Sequence, residues 1–196
     1  MAKIHKSFYR RQDVVLIAKE LLGKHLYTCM DGKLTGGIIT ETEAYAGITD
    51  KASHAYGNRR TQRTEMMYCE GGTAYVYLCY GVHSLFNIVT NLAGTPHAVL
   101  VRGIWPVAGQ DIMLQRTGKS MITAHFGVGP GNVAKALGIH YSQSGLSLMG
   151  NRIWLEDLGL VPSDKEIAIA TRIGVAYAGE DAARPYRFIF TKYQKP

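Results

Sequence analysis

Several features that mark membrane, secreted and zinc-ribbon proteins are missing from this sequence. No apolar run approaches the roughly 20 residues needed to cross a bilayer, and residues 1–12 hold basic side chains without the apolar segment of a signal peptide. The three cysteines, Cys29, Cys69 and Cys79, form no Cys-x-x-Cys pair, which argues against a zinc ribbon or a disulfide framework. We therefore expect buried, reduced thiols in a cytoplasmic protein without a membrane segment.

Internal repeats, low-complexity tracts and linkers rich in proline, glycine or serine are also missing. The chain has 196 residues, of which 46% are hydrophobic, and this is enough for one packed core. We therefore expect a single domain over residues 1–196. The seven histidines show no His-x-x-x-His or His-x-Glu spacing of the kind that metal ligands adopt, so no metal site is expected.

Basic residues exceed acidic ones in this chain. The 22 lysines and arginines against 15 aspartates and glutamates give a formal net charge of +7. A surplus of this size attracts polyanions, although many basic proteins bind no nucleic acid. The charge is therefore compatible with a DNA-binding role and does not establish one.

The hydrophobic pattern predicts more strands than helices. Short β-branched or aromatic segments punctuated by glycine predict strands over residues 25–28, 37–45, 73–79, 85–90, 98–104 and 186–190. Helical spacing predicts helices over residues 13–22, 110–116 and 131–137, the first capped by Asp13 and ended by Gly23. Because strands and helices do not alternate regularly, we predict an α+β fold in which helices surround a curved, mainly antiparallel sheet with a protruding hairpin.

Glu41, Glu43 and Tyr45 occupy alternate positions of one predicted strand, so their side chains share a face. Carboxylates at this spacing have Cβ atoms roughly 7 Å apart. If the face is shielded from water, their repulsion requires partial protonation of one carboxyl or a nearby cation. This costly arrangement indicates a chemical function, and the alternative is a solvated strand face with a tyrosine at its edge.

A predicted hairpin places an aromatic residue at its tip. Tyr80 and Gly81 form the turn between two strands, because glycine accepts the positive φ of tight turns. An exposed tyrosine there can act as a wedge between stacked bases. Tyr75 and Tyr77 share a face of the preceding strand, where rings can line a pocket. The alternative is a tyrosine-rich strand packed on the core, with Tyr80 a chance surface residue.

The segment over residues 54–64 is strongly basic. Arg59, Arg60 and Arg63 lie among hydroxyl and amide side chains in a segment too polar for the core. Such a loop suits contacts to DNA phosphates, which fix the position of a protein without reading the sequence. A solvated basic loop would have the same composition.

Together these segments closely resemble the alkyladenine (3-methyladenine) DNA glycosylase family, as a bacterial member. The resemblance covers nearly the whole chain, with motifs in order and closely spaced. It rests on residues 41–45, His54, residues 72–81 and Asn87, and in the C-terminal half on residues 129–131, 153–156, 172–175, 178–180 and 184–188.

The resemblance implies roles for individual residues at the site of chemistry. Glu43 would be the general base that activates water, which Arg102 and the backbone near Ile173 would help to hold. The flipped base would lie between Tyr45 and His54 on one side and Tyr77 on the other. Asn87 would line the floor of the pocket and disfavour the exocyclic amino group of normal guanine.

The resemblance also implies the reaction and its partner. A monomer without metal or cofactor would bind double-stranded DNA containing damaged purines, with Tyr80 filling the gap left by the flipped base. Residues 59, 60, 63 and 81 are the other predicted DNA contacts. The implied substrates are 3-methyladenine, 7-methylguanine, hypoxanthine and ethenoadenine, and the product is an abasic site. No lysine is expected near the motif residues, which favours a glycosylase without lyase activity.

Two other functions remain open at this point. A protein with the same basic surface and exposed tyrosine could bind DNA without chemistry. A hydrolase acting on free nucleosides could instead use Glu41 and Glu43 as an acid pair, although carboxylates on one strand can hardly flank a glycosidic bond. Glu41 has no assigned role in the glycosylase hypothesis.

Overall fold

The computed structural model describes residues 3–193; residues 1–2 and 194–196 of the predicted domain lie outside the described residues. The α-helices are α1 (Lys6–Tyr9), α2 (Val14–Glu20), α3 (Gln110–Thr117) and α4 (Pro130–Leu137). The strands are β1 (His25–Met30), β2 (Lys33–Tyr45), β3 (Ala74–Cys79), β4 (His83–Thr90), β5 (His97–Ala108), β6 (Ile153–Glu156), β7 (Ile167–Ala170) and β8 (Arg187–Phe190).

The strands form one curled antiparallel sheet in the order β3-β4-β5-β2-β1-β6. The long strand β2 is central because β5 lies along one side, while β1 and then β8 share its other side. Strand β7 continues the sheet beyond β8. The predicted α+β fold with a curved, mainly antiparallel sheet is confirmed.

The main core lies on one face of this sheet, beneath α2 and α4. Alternate residues of the central strands, such as Ala44, Val99 and Val101, are fully buried there. Helix α2 begins as predicted, because the Asp13 carboxylate accepts a hydrogen bond from the Leu16 amide. Thr42 ties β2 to this helix by donating to the Ala18 carbonyl at 2.8 Å. With this face committed to packing, the opposite face of the sheet is available for a site.

The predicted elements are present, and four of the six predicted strands are longer than the sequence indicated. Strand β2 starts at Lys33, four residues before the predicted start, and β5 continues to Ala108, four residues beyond the predicted end. Helix α1 and strands β6 and β7 were not predicted. Each of these three is only four residues long, which is too short for a periodic pattern to stand out.

The cysteines differ from the prediction in their burial. Cys29, Cys69 and Cys79 are free, as expected, but each is half-buried. Cys79 ends β3 beside an exposed turn, so its position at the edge of the sheet explains the exposure. No helix within residues 3–193 has the length and apolar character that a membrane crossing requires.

The hairpin of β3 and β4 carries the predicted aromatic tip. Tyr80 is 95% exposed and has a φ of 50°, and Gly81 follows with a φ of 71°. The Val82 amide closes the turn by donating to the Cys79 carbonyl at 3.1 Å. Gly81 suits this backbone, whereas a left-handed tyrosine is strained as well as exposed.

Candidate active site

One row of residues crosses the face of the sheet opposite to the main core. Tyr75 on β3 pairs with Asn87 on β4, and Asn87 pairs with Leu100 on β5. Leu100 pairs in turn with Glu43 on β2, which pairs with Arg187 on β8. Directly opposite residues of neighbouring strands project to the same face. The register of five strands therefore places a carboxylate between a cationic side and an aromatic side.

A cavity of about 510 Å³ opens on this face, a size typical of small-molecule pockets. It brings together most of the predicted site residues. The predicted residues that line this cavity are Tyr45, His54, Arg63, Tyr77, Tyr80, Asn87, Arg102 and Ile173. Glu43 is fully buried and lies behind the wall formed by Tyr45, Arg102 and Ile173.

Both oxygens of the Glu43 carboxylate are held by the protein. The Ile173 amide donates to Oε1 at 2.8 Å, although the two residues are 130 positions apart in the chain. The Tyr45 hydroxyl donates to Oε2 at 2.8 Å, and Arg102 Nε lies 3.4 Å from Oε1. A carboxylate oxygen has two lone pairs, so Oε2 can accept a further hydrogen bond beside that from Tyr45.

The environment of Glu43 makes it a stronger base than an ordinary glutamate. Burial raises the pKa of its carboxyl above the usual 4.5, and the nearby charge of Glu41 acts in the same direction. Arg102, the Ile173 amide and the Tyr45 hydroxyl oppose this rise in pKa. A carboxylate with a raised pKa and fixed orientation suits the removal of a proton from water.

Glu41 joins two arginines beside the same carboxylate. It is 4% exposed, and its Oε1 accepts hydrogen bonds from Arg102 Nε at 3.0 Å and from Arg187 Nη1 at 3.1 Å. The sequence predicted that two buried carboxylates on one face would require a nearby cation, and Arg102 and Arg187 both supply one. The alternative of a solvated strand face is wrong, because Glu41 and Glu43 are both buried.

The pairing of β2 with β5 is irregular beside this cluster. Ile39 pairs with Ile104 and Thr42 with Val101, but between these pairs Glu41 pairs with Gly103 instead of Arg102. The register is the same on both sides of this point, so Arg102 shares the face of Leu100 and Glu43 by the ordinary alternation of side chains. A Cβ atom at position 103 would lie 2.8 Å from Thr40 Oγ1 and 3.0 Å from Glu41 Cβ, which explains the glycine.

The opposite wall of the cavity is aromatic. The His54 ring lies 4.7 Å from that of Tyr77, with nearly perpendicular planes, and 6.2 Å from that of Tyr75. The rings of Tyr75 and Tyr77 lie 5.5 Å apart, as expected from their alternate positions on β3. His54 Nδ1 and the Tyr75 hydroxyl are hydrogen-bonded at 2.9 Å. Flat π surfaces of this kind hold a planar ligand.

The sequence of this chain is similar to those of proteins named as DNA glycosylases. A family model described as Methylpurine-DNA glycosylase (MPG) matches residues 7–194. The chain is 45% identical over 185 residues to a protein of Chlamydia felis, covering 94% of both. It is 44% identical over 195 residues to a protein of Bacillus cereus (strain G9842), covering 94% of this chain and 93% of the relative. The names of both relatives contain the words "3-methyladenine DNA glycosylase".

The chain belongs to the methylpurine-DNA glycosylase family. It is therefore a DNA glycosylase, and the resemblance seen in its motifs is confirmed. Within the described part of the chain, no three His, Cys, Asp or Glu side chains are grouped as metal ligands would be.

In this glycosylase the Asn87 side chain is fixed in the cavity wall. It is 3% exposed, and its amide nitrogen donates to the carbonyls of Tyr75 at 3.1 Å and Leu85 at 3.3 Å. Both amide hydrogens are thus used by the backbone. The orientation of the Asn87 side chain is therefore fixed, and its role in disfavouring the amino group of guanine stays a prediction.

The three arginines of the basic loop have different surroundings. Arg60 forms a two-point ion pair with Glu65, with contacts of 2.7 and 2.9 Å, and lies over the Tyr68 ring. Arg59 is exposed and lines a second cavity next to the first. Arg63 lines both cavities. The structure therefore places Arg63 within the pocket, whereas the sequence predicted only a phosphate contact for it.

The second cavity also corrects the expectation that no lysine lies near the motif residues. Lys51 lines it together with His54, because the loop between β2 and β3 folds back over the sheet. The Lys51 amide donates to the Asp181 carboxylate at 2.8 Å, which fixes this part of the loop.

Sequence reasoning missed a buried ion pair behind the cavity. Arg172 Nη2 donates to Asp50 Oδ1 at 2.8 Å, Nη1 donates to Oδ2 of the same carboxylate, and both side chains are fully buried. Arg172 also donates to the carbonyls of Ala44 at 2.9 Å and Asp181 at 3.0 Å. Arg172 belongs to a family motif, but no local pattern indicated its partner 122 positions away.

Proposed function

We propose that this glycosylase flips a damaged purine out of duplex DNA and hydrolyses its N-glycosidic bond with water activated by Glu43. The observation that carries the proposal is the Glu43 carboxylate, fully buried behind an aromatic-walled cavity and oriented by Ile173 and Tyr45. Extruding a base costs a few kcal/mol and costs least for a damaged or mispaired one. Selection therefore begins before the base enters the cavity.

The chemistry follows from the charge that develops on the sugar. As the bond between C1′ and the base breaks, C1′ acquires oxocarbenium character, and a carboxylate close to it stabilises that charge. Glu43 takes a proton from the attacking water through the free lone pair of Oε2, while the base departs with the bonding electrons. Arg102 favours the ionised form of the carboxylate, because its charge lowers the pKa that burial raises. The product is an abasic site.

Alkylated purines are the substrates we propose first. A purine methylated at N3 or N7 is cationic, so it is a good leaving group and is attracted to the faces of Tyr45 and Tyr77. We propose 3-methyladenine and 7-methylguanine on this basis, together with the names of the relatives. The deaminated base hypoxanthine and the adduct ethenoadenine complete the proposed range.

The basic loop and the hairpin are the proposed DNA-binding elements of a monomer with one catalytic domain, residues 1–196. Arg63 lines the cavity, Arg59 lines the cavity next to it, and Arg60 belongs to the same loop, along which phosphates next to a flipped nucleotide would pass. Tyr80 and Gly81 form the tip that would enter the duplex. The net charge of +7 favours the approach of a polyanion, and binding should weaken steeply as salt is raised.

We expect Tyr80→Gly to separate stability from activity. A left-handed backbone costs a residue other than glycine about 1–2 kcal/mol, whereas glycine adopts it freely at some entropic cost. The free energy of unfolding should therefore stay unchanged or rise by about 1 kcal/mol. Base release at limiting enzyme concentration should fall at least about tenfold, because nothing fills the vacated stack. Urea unfolding measures the first effect, and initial rates of base release with the duplex in excess over the enzyme measure the second.

The matched control is Tyr80→Phe, which keeps the ring and removes only the hydroxyl. It should retain most of the activity if the ring acts as a wedge. A loss of activity in Tyr80→Gly that parallels a loss of stability would argue for a structural role instead.

The proposed reaction is tested with labelled duplexes carrying one hypoxanthine or one ethenoadenine, and with methylated DNA. We expect base release without a metal or cofactor, followed by strand cleavage only after alkali. Borohydride should trap no covalent adduct, and an adduct through Lys51 would show lyase activity. Tight, salt-sensitive binding without release of any base would support the alternative of a DNA-binding module. Release from free nucleosides alone would support the small-substrate hydrolase.

A further inference from the structure

Arg63 occupies the part of the cavity where the proposed function places the base. Its guanidinium carbon lies 4.8 Å from the centre of the Tyr77 ring. Stacked ring systems have centres 4.5–7 Å apart, so the guanidinium lies where a stacked purine would. Arg63 lines the cavity although it is exposed to solvent, so it stands at the mouth.

The guanidinium is held at this position by a hydrogen bond as well as by the ring. Arg63 Nη2 lies 3.3 Å from His54 Nε2, and arginine can only donate, so Nε2 must accept. Burial lowers the pKa of His54 to about 4, and the charges of Arg63 and Arg59 contribute, so the imidazole is neutral at physiological pH. Its proton is therefore on Nδ1 and is donated to the Tyr75 hydroxyl. These bonds form one directed chain from Arg63 to Tyr75.

The neighbouring cavity offers the Arg63 side chain a second place. It has a volume of about 460 Å³ and shares Arg63, His54 and Tyr177 with the first. Its other lining residues are Lys51, Ser53, Tyr56, Arg59, Thr61 and Thr64, most of them cations or hydroxyls. A guanidinium entering alone would meet the like charges of Arg59 and Lys51, which oppose its transfer. A DNA phosphate in this cavity would remove that opposition.

We propose that Arg63 is an internal competitor of the flipped base. In the free protein its guanidinium covers the Tyr77 ring, and in the DNA complex a phosphate at Arg59 and Lys51 draws it into the second cavity and uncovers the ring. This inference rests on the proposed function. Its consequence is that free purine bases, including the released product, bind weakly when no DNA phosphate is present.

The test is a titration of free 3-methyladenine into the protein without DNA, followed by ligand-observed NMR. Removing the competitor by Arg63→Gln should raise the affinity for the base about two- to fivefold, the worth of an exposed cation–π contact of roughly 0.5–1 kcal/mol. The matched control is Arg59→Gln, which removes the same charge from the second cavity but leaves the Arg63 side chain present. Because Arg59 is one of two charges that oppose entry of Arg63 into that cavity, this variant should raise the affinity for the base less than Arg63→Gln does, while both variants weaken salt-dependent binding of undamaged duplex.

A second measurement follows the Arg63 side chain of the wild-type protein. Its Nε–H proton should show a ring-current shift in the free protein and lose it when damaged duplex saturates the site. An unchanged or lower affinity for 3-methyladenine in Arg63→Gln, or a ring-current shift that persists on damaged DNA, would overturn the proposal. Base release by the wild-type enzyme is assayed in parallel, so failure of the proposed function is seen separately as absence of release.

Discussion

Glu43→Gln is expected to abolish base release while leaving the binding of damaged DNA largely intact. Loss of a general base costs about 10²- to 10⁴-fold in rate. Glutamine keeps the shape of the side chain and can still accept the hydrogen bond from the Ile173 amide, so the cavity wall should persist. Single-turnover base release and the dissociation constant for a duplex containing the lesion measure the two properties. Equal loss of both would indicate that Glu43 is structural.

The same variant should be at least as stable as the wild type at neutral pH. Because the pKa of Glu43 is raised in the folded state, the unfolded chain releases this proton more readily. The carboxyl therefore stabilises the fold fully below its ordinary pKa of 4.5 and loses that contribution as the pH rises through the folded pKa. Any stability gained by Glu43→Gln should shrink as the pH is lowered to about 4, which thermal unfolding across this range would show.

Glu41→Gln is the matched control, since it makes the same change two positions away on the same strand. The charge of Glu41 raises the pKa of Glu43, so its removal should move the acid limb of the wild-type rate profile to lower pH. Arg102 loses one partner in this variant but remains beside Glu43. We expect a smaller loss of rate than for Glu43→Gln. A complete loss in Glu41→Gln instead would transfer the role of base to Glu41.

The alternation of residues in β2 and β3 was enough to predict much of the site. It placed Glu41, Glu43 and Tyr45 on one face, and Tyr75 beside Tyr77, because side chains of a strand alternate regularly. The same pattern could not show that the Tyr45 hydroxyl donates a hydrogen bond to Glu43, because alternation gives only the face on which a side chain lies. The resemblance assigned Tyr45 only the stacking of a base. The sequence therefore predicts which side chains of one strand lie on the same face, but it does not predict the hydrogen bonds between them.

Other parts of the site depend on long-range packing that no local pattern encodes. The contact of Arg102 with Glu41 depends on the pairing of two strands whose contacting residues are about 60 positions apart in the chain. The Ile173 amide reaches Glu43 from a C-terminal loop, and the fold of the β2–β3 loop brings Arg63 over Tyr77. The resemblance named Arg102 and Ile173 as groups that hold the water, and the composition of the basic loop predicted only a phosphate contact for Arg63. Neither indicated the contacts with Glu43 and Tyr77 that the structure shows. The three-dimensional structure shows the hydrogen bonds and ring contacts that hold these three residues in place.

Arg172→Met is expected to have the largest effect on stability. It leaves the fully buried carboxylate of Asp50 without its cation, and breaking a buried ion pair by removing one partner costs about 3–5 kcal/mol. The carbonyls of Ala44 and Asp181 also lose their donor. Urea unfolding should show this loss as a lower midpoint. The control Arg184→Gln breaks a partly exposed ion pair with Asp181 and should cost less than about 1 kcal/mol.

The ion pair of Arg172 with Asp50 should also influence catalysis, because Arg172 is next to a residue that contacts Glu43. Arg172 immediately precedes Ile173, whose amide lowers the pKa of Glu43, so a looser loop should raise that pKa and move the acid limb of the rate profile to higher pH. In the double variant Arg172→Met with Asp50→Leu, no uncompensated charge remains, and the loss of stability should be smaller than the sum of the single losses. Additive losses with an unmoved acid limb would show that Arg172 and Asp50 stabilise the fold independently of each other and of Glu43.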